Sequence, residues 1–343
     1  MRQMLSTLFV TTEDAYLSLE QENVVVNEGD RVMGRIPLRA LESILCFSYK
    51  GASPALLGKC NEFGVSFAFY SPQGKYYGSV LGEANRNVLL RRRQYHMADD
   101  DKEVCSIAAS FVMGKIFNAR QVLERATRDH ALRINVPRVK KQSARLLAAL
   151  RELDDCLTAD SVRGVEGDAA KCYFYAFDDL ILTNKDDFYF EQRSRRPPMD
   201  RMNALLSFIY VLLYGDCRSA LQGVGLDPYV GFLHTDRPGR SSLALDLVEE
   251  LRPVFADRLA LSLVNTHVVK AGDFEVRENG GTYLNDKGRK QVLSAWQKRK
   301  NEQIMHPFLK EKVPWGLVPY VQALLLARYI RGDMDAYPPM FWK

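Results

Sequence analysis

The chain has 343 residues, which suits two domains on the loose prior of roughly 100 to 200 residues each. Its 47% hydrophobic and 26% charged residues are those of a globular protein and exclude a disordered or fibrous chain. The net charge of +5, from 47 basic and 42 acidic residues, permits a polyanionic partner without demanding one, so local clustering has to decide.

Six cysteines, at 46, 60, 105, 156, 172 and 217, show no CxxC and no short metal-ligand spacing. They read as reduced, mostly buried thiols rather than a disulfide framework or zinc ribbon. The apolar patch Leu8 to Val10 is too short for the core of a signal peptide, and no run approaches the ~20 apolar residues of a membrane span. A cytoplasmic protein without a membrane partner is expected.

From the start to about residue 80, β-branched and aromatic runs alternate with turn residues, the signature of strands. The predicted strands are Leu8 to Val10, Ala15 to Leu19, Val24 to Val26, Val32 to Pro37, Ile44 to Ser48, Val65 to Tyr70 and Tyr76 to Leu81. The last two frame a hairpin turn at Ser71-Pro72-Gln73-Gly74. One helix interrupts them, capped by Ser53 with Pro54 in its first turn and closed near Gly64.

Beyond Gly82 the apolar residues recur at helical spacing, as in Val104, Ile107, Phe111, Ile116 and Phe117, with Asp99-Asp100-Asp101 as a break. Helices are predicted over Leu146 to Leu153, Ala169 to Phe177, Asn203 to Tyr214, Leu243 to Leu251, Lys290 to Ile304 and Leu317 to Ile330. The fold class is therefore α+β: a small β-rich N-terminal domain over 1–90, a linker over 91–104, and an α-helical domain over 105–343.

Three segments carry residues suited to chemistry. In Arg163-Gly164-Val165-Glu166-Gly167, a glutamate between two glycines precedes a predicted helix, where a metal or phosphate could come close; an ordinary first-turn acid fits equally. Gly231-Phe232-Leu233-His234 ends at the turn-rich Thr235 to Arg240, pinning one histidine at the edge of ordered structure, and a hydrogen-bonded structural histidine fits as well. The next helix carries Asp246 and Glu249 three residues apart on one face, which also fits a solvated stripe. Together, one imidazole and two or three carboxylates suit Mn²⁺ or Mg²⁺ better than structural zinc. Spacing alone does not make them converge.

Two basic stretches offer phosphate contacts. Arg193, Arg195, Arg196 and Arg201 crowd the loop before the predicted helix at Asn203. From Asp286 to Lys312 there are eight Lys or Arg, including Lys298, Arg299 and Lys300, against three acids, with Trp296 and Trp315 in or near the run. Basic residues with aromatics suit a nucleic-acid surface, and a solvated face is the alternative. His96, His130, His267 and His306 lack a partner at ligand spacing and read as structural. No Gly-x-Ser-x-Gly, Walker loop or dinucleotide fingerprint is present, which argues against nucleotide hydrolysis and serine-hydrolase chemistry.

In order and spacing, three blocks resemble the CRISPR-associated Cas-one integrases: Arg163 to Gly167 with Tyr173-Phe174, Arg196 to Ser207, and Gly231 to His234 followed by Ser242 to Glu249. The resemblance implies a β-sheet N-terminal domain used in homodimerisation and a helical domain with one metal site per subunit. It implies Glu166, His234 and Glu249 as catalytic metal ligands, with Asp246, Asn203 and Tyr214 beside them. Arg163 joins the two basic stretches as an expected DNA contact. The implied reaction is transesterification, in which the 3′-hydroxyl of a captured DNA fragment attacks a phosphodiester at a repeat boundary. The implied partner is the small Cas-two protein bridging two dimers, and an end-processing nuclease is left open. Leu245 stands where some relatives carry tyrosine, so no role is carried over to it. A general metal-dependent nuclease on branched or single-stranded DNA and a non-catalytic architectural subunit are the competing readings.

Overall fold

The computed structural model describes residues 6–72, 76–80 and 88–342. It begins with seven strands: β1 (Ser6–Val10), β2 (Ala15–Glu20), β3 (Asn23–Glu28), β4 (Arg31–Pro37), β5 (Leu41–Cys46), β6 (Ser66–Tyr70) and β7 (Tyr76–Val80). Helix α1 (Pro54–Phe63) connects β5 to β6. Each predicted strand is present, and α1 carries the expected signals: Ser53 accepts from the Leu56 amide, and Gly64 closes the helix at φ 69°. Gln73, Gly74 and Leu81 lie outside the described residues.

Strands β2-β3-β4 form an antiparallel meander, while β1, β5, β6 and β7 form a second sheet in that order, parallel across β1/β5/β6 and antiparallel at β6/β7. The central strands β5 and β6 of the second sheet are buried on both faces, and the two-residue period of a strand sorts their side chains. Ile44, Cys46 and Phe67 join Leu17, Val24 and Leu56 between the sheets and α1; Leu45, Phe47, Ala68 and Tyr70 enter the core of the helical region. That double burial is why the sequence there reads as an unbroken apolar run.

The helical region comprises α2 (Val88–Ala98), α3 (Asp101–Asp129), α4 (Val136–Glu152), α5 (Ala159–Tyr175), α6 (Arg201–Val224), α7 (Ser242–Leu251), α8 (Arg258–Asn265), α9 (Asp286–Asn301) and α10 (Val318–Arg331). Residues 91–104, expected as a linker, are mostly helix: α2 runs through them, and the break is confined to Asp99 and Asp100, whose side chain caps α3. Among the described residues α6 is the one helix long and apolar enough to cross a bilayer, and 67% of that apolar stretch is buried inside the fold. The core of the helical region is built around α3, α6 and α7.

Two elements depart from expectation. The helix expected to run to Ile304 ends at Asn301, and residues 303–305 pair as a short strand with residues 312–314. Immediately after α7, Arg252–Asp257 winds as a π-helix, with Pro253 at its second position, before α8 resumes the α-helical pitch. A π-helical turn is uncommon and often lies at a functional site.

Candidate metal centre

Glu166 sits mid-helix. The expectation of a helix starting near Ala169 is corrected: α5 begins at Ala159, with Thr158 and Ser161 forming a reciprocal cap. Gly164 and Gly167 are helical residues one turn apart, and a side chain at either would meet open space. The helix is thus low-walled around Glu166, as the two-glycine pattern implied, although the acid is not at the helix N-terminus.

His234 lies in the loop between α6 and α7, with about 29% of its side chain exposed. Asp246, on α7 and fully buried, fixes the loop. Its Oδ2 accepts from the amides of Phe232 at 2.7 Å and Leu233 at 3.0 Å. Its Oδ1 accepts from the His234 amide at 2.9 Å and lies 2.7 Å from Nδ1 of the ring. A carboxylate receiving three amide N–H groups can only accept, so Nδ1 donates to it, and in the neutral ring Nε2 is the nitrogen with a lone pair. Gly231 is required for this turn: a Cβ there would stand 2.7 Å from Cβ of Ser242. Arg163 ties α5 to the same loop, donating to the Leu233 carbonyl at 2.8 Å and pairing with Asp160.

Glu249, one turn beyond Asp246, is 4% exposed. Its Oε1 pairs with Arg252 at 2.9 Å, and its Oε2 lies 2.6 Å from the ammonium of Lys115. The same ammonium pairs with Oε1 of Glu166. Carboxylates from two helices therefore meet around one cation contributed by α3. Burial pushes the Glu249 carboxyl up, but Arg252, Lys115 and His234 outweigh it and hold the group down at about 2. His234 is thus near enough to act on Glu249 electrostatically.

The donor set fits a hard divalent cation. Glu249 Oε2 is buried and faces the Lys115 ammonium at 2.6 Å. Glu166 and Glu249 already share a positive centre, and a neutral His234 offers its lone pair at Nε2. Among the described residues no three of His, Cys, Asp and Glu are drawn together as a ready ligand cage, and the Lys115 ammonium stands between the two glutamates.

The other expected residues sort by surroundings. Asn203 is buried and bonds to Asp200, Arg193 and the Gln192 carbonyl, so it builds the loop entering α6. Tyr214 packs against the core. One turn earlier on α6, Tyr210 reaches the centre, its ring 4.6 Å beneath the Arg252 guanidinium and its hydroxyl donating to Asp257. Burial raises the Asp257 carboxyl to about 6.

Of the expected DNA contacts, Arg195, Arg196 and Lys298 are exposed. Arg193 instead faces inward, bonded to Asn203 and Ser207 and stacked over Tyr210. Lys300 is 2% exposed and pairs with Asp216 at 3.1 Å; Arg299 pairs with Glu302 and stacks on Trp315. Trp296 and Trp315 are buried, both stacked on Phe255 at 4.5 and 5.1 Å. The aromatic half of the basic surface read from the sequence is therefore core.

Lys115 and Arg252 escaped the sequence reading. The signal for Lys115 was present: it is the sole charge in Ile107 to Phe117, on a helix face otherwise buried.

The family model for CRISPR associated protein Cas1 matches residues 8–298. The chain is 47% identical to CRISPR-associated endonuclease Cas1 1 of Chlorobaculum tepidum over 343 residues, with both chains fully covered. In fold it is similar to a casposase solved bound to an integration product, with a TM-score of 0.84 at 21% identity, covering 99% of this chain and 95% of that one. It is also similar to a chain of a Cas6-RT-Cas1–Cas2 complex, with a TM-score of 0.82 at 22% identity, covering 100% of this chain and 36% of that one. On the match to the family model and the full-length identity to a curated relative, the chain belongs to the CRISPR-associated Cas1 family.

Proposed function

We propose that this Cas1 endonuclease of CRISPR adaptation performs its phosphodiester chemistry at the cluster of Glu166, His234 and Glu249 with Mn²⁺ or Mg²⁺, joining captured DNA to a repeat boundary by transesterification. The observation carrying this reading is that Glu166 and Glu249, from α5 and α7, share one cation while Asp246 fixes the tautomer of His234. When bound, a divalent ion would polarise the phosphodiester and offset the charge gained in its transition state. Glu166, Glu249 and Nε2 of His234 would hold it. Asp246 keeps the imidazole turned and protonated at Nδ1, as outer partners of metal-bound histidines do. Arg252 holds Glu249 by its other oxygen, so that carboxylate keeps one oxygen for the ion.

Arg195, Arg196 and Lys298 are the proposed phosphate contacts. Arg163 acts by positioning the His234 loop, and Arg193, Arg299 and Lys300 serve the fold. The β-rich region 1–90 is the proposed homodimerisation domain, a Cas2 protein the proposed bridging partner, and the cytoplasm the proposed location. Family membership and the like-folded chain of a Cas6-RT-Cas1–Cas2 complex support the partner reading.

The test is strand joining on supercoiled repeat DNA with a short duplex bearing free 3′-hydroxyls, with and without Mn²⁺. Joined product lost in Glu166→Gln, His234→Ala and Glu249→Gln is expected. Cleavage without joining would favour a general nuclease, and joining by all three variants would remove the catalytic assignment.

A further inference from the structure

Lys115 is placed as no ordinary surface lysine is. It lies within the 29-residue α3, its side chain only 11% exposed, and its ammonium bridges Glu166 on α5 and Glu249 on α7. The backbone beside it is held tightly. A Cβ on Gly114 would stand 2.9 Å from Cβ of Glu250 and 3.0 Å from Cβ of Pro339, so α3, α7 and the C-terminal segment meet at that glycine. Three residues beyond Lys115, Asn118 donates to the carbonyls of Glu250 and Met340. The lysine therefore projects from a fixed base, and only its four-carbon stem is free to move.

We infer that Lys115 is a built-in counter-ion that holds Glu166 and Glu249 together in the metal-free protein and is exchanged for the divalent cation when it loads. Two carboxylates converging in a partly buried site repel each other unless a positive charge stands between them. The ammonium supplies that charge in the space a divalent ion needs, so both cannot occupy it. Loading is then an exchange of cations, with the long stem carrying the ammonium outward to solvent. Two consequences follow: metal-free protein keeps its carboxylates in register, and metal affinity is lower than the same ligands would give without the lysine.

The inference rests on the metal reading of the cluster, and the experiment separates the two. Full-length protein stripped with chelator is compared as wild type, Lys115→Met, Lys115→Gln and Glu166→Gln. Mn²⁺ binding is read from the free-ion electron paramagnetic resonance signal, and the metal-free melting temperature from calorimetry. Losing a competing charge-assisted contact should tighten Mn²⁺ binding in Lys115→Met by about tenfold. It should also lower the metal-free melting temperature, with Mn²⁺ restoring more than it adds to wild type. If Lys115→Met does not fold, Lys115→Gln is read by the same criteria. Mn²⁺ binding that is unchanged or weaker in the lysine variants, yet lost in Glu166→Gln, overturns the exchange and keeps the metal site. Mn²⁺ binding indifferent to Glu166→Gln overturns both.

Discussion

Oδ1 of Asp246 receives both the backbone amide and the ring Nδ1 of His234, at 2.9 and 2.7 Å. One oxygen thus fixes the position of the histidine's main chain and the rotation of its ring, while the other oxygen holds the two preceding amides. Asp246 has no oxygen left for a cation, which assigns Asp246 to positioning and leaves Glu249 as the α7 carboxylate facing Lys115.

Replacing Asp246 by Asn puts an NH₂ where two donors already point. Leaving buried amide donors unmatched should cost about 2–4 kcal/mol of stability. It also frees the ring to turn, and Mn²⁺ affinity should fall by roughly 10–100-fold, the usual cost of losing a histidine's outer partner. Calorimetric melting and Mn²⁺ titration of Asp246→Asn check both. Unchanged affinity at reduced stability would mean that Asp246 serves the loop alone.

A second prediction concerns how the β-rich region seats on the helices. Tyr70 of β6 points its hydroxyl at Gly215 of α6, so closely that a Cβ there would collide with the oxygen, while the next ring atom, Cζ, stays 3.6 Å away. Gly215→Ala should destabilise by about 1–3 kcal/mol through overpacking. Tyr70→Phe removes the colliding atom, so the double variant should recover most of that loss in denaturant unfolding. Equal losses in the single and double variants would locate the strain elsewhere.

The strands were legible because a buried strand leaves a local record: Ile44 to Phe47 and Phe67 to Tyr70 alternate between two cores, and turn residues bound each run. The start of α5 was not, because its reciprocal Thr158–Ser161 cap and the glycines at 164 and 167 resemble loop composition. The π-helical turn after α7 leaves no periodicity to read. At the site, Asp246 and Glu249 shared a face by spacing alone, but the approach of Glu166 is a product of how α3, α5 and α7 pack. Lys115, 51 residues from Glu166, bridges it to Glu249 and is visible only once they do. Burial also decided which basic residues were surface: Lys300 and Trp296 sit in the run that looked most like a nucleic-acid face.

The exposed arginines give a salt prediction. If Arg195 and Arg196 meet phosphate, removing each should reduce the slope of log affinity against log salt by roughly one unit. Lys300→Met should leave that slope alone while lowering stability, because its ammonium serves Asp216 inside the fold. Fluorescence anisotropy with duplex DNA at several salt concentrations measures the slopes, and an Arg195/Arg196 double variant with the wild-type slope would put the phosphates on another face.

Asp257 makes the fold sensitive to pH away from the proposed ligands. Its carboxyl, buried beneath Tyr210 and Arg252, is raised by burial from an ordinary 3.8 to about 6. Between those values the unfolded chain has released the proton and the folded chain still holds it. Raising the pH through this window therefore favours unfolding, and the associated loss is on the order of 3 kcal/mol once the group is ionised above 6. Below about 4 both states are protonated and the loss is absent. Asp257→Asn keeps an oxygen to accept from Tyr210 but cannot ionise, so its unfolding free energy should not show this decline between pH 4 and 6. The difference in stability between wild type and variant, measured by urea unfolding across that range, should shift in favour of the variant as pH rises. A constant difference would mean that the Asp257 carboxyl already ionises near its ordinary value, with Arg252 rather than burial in control.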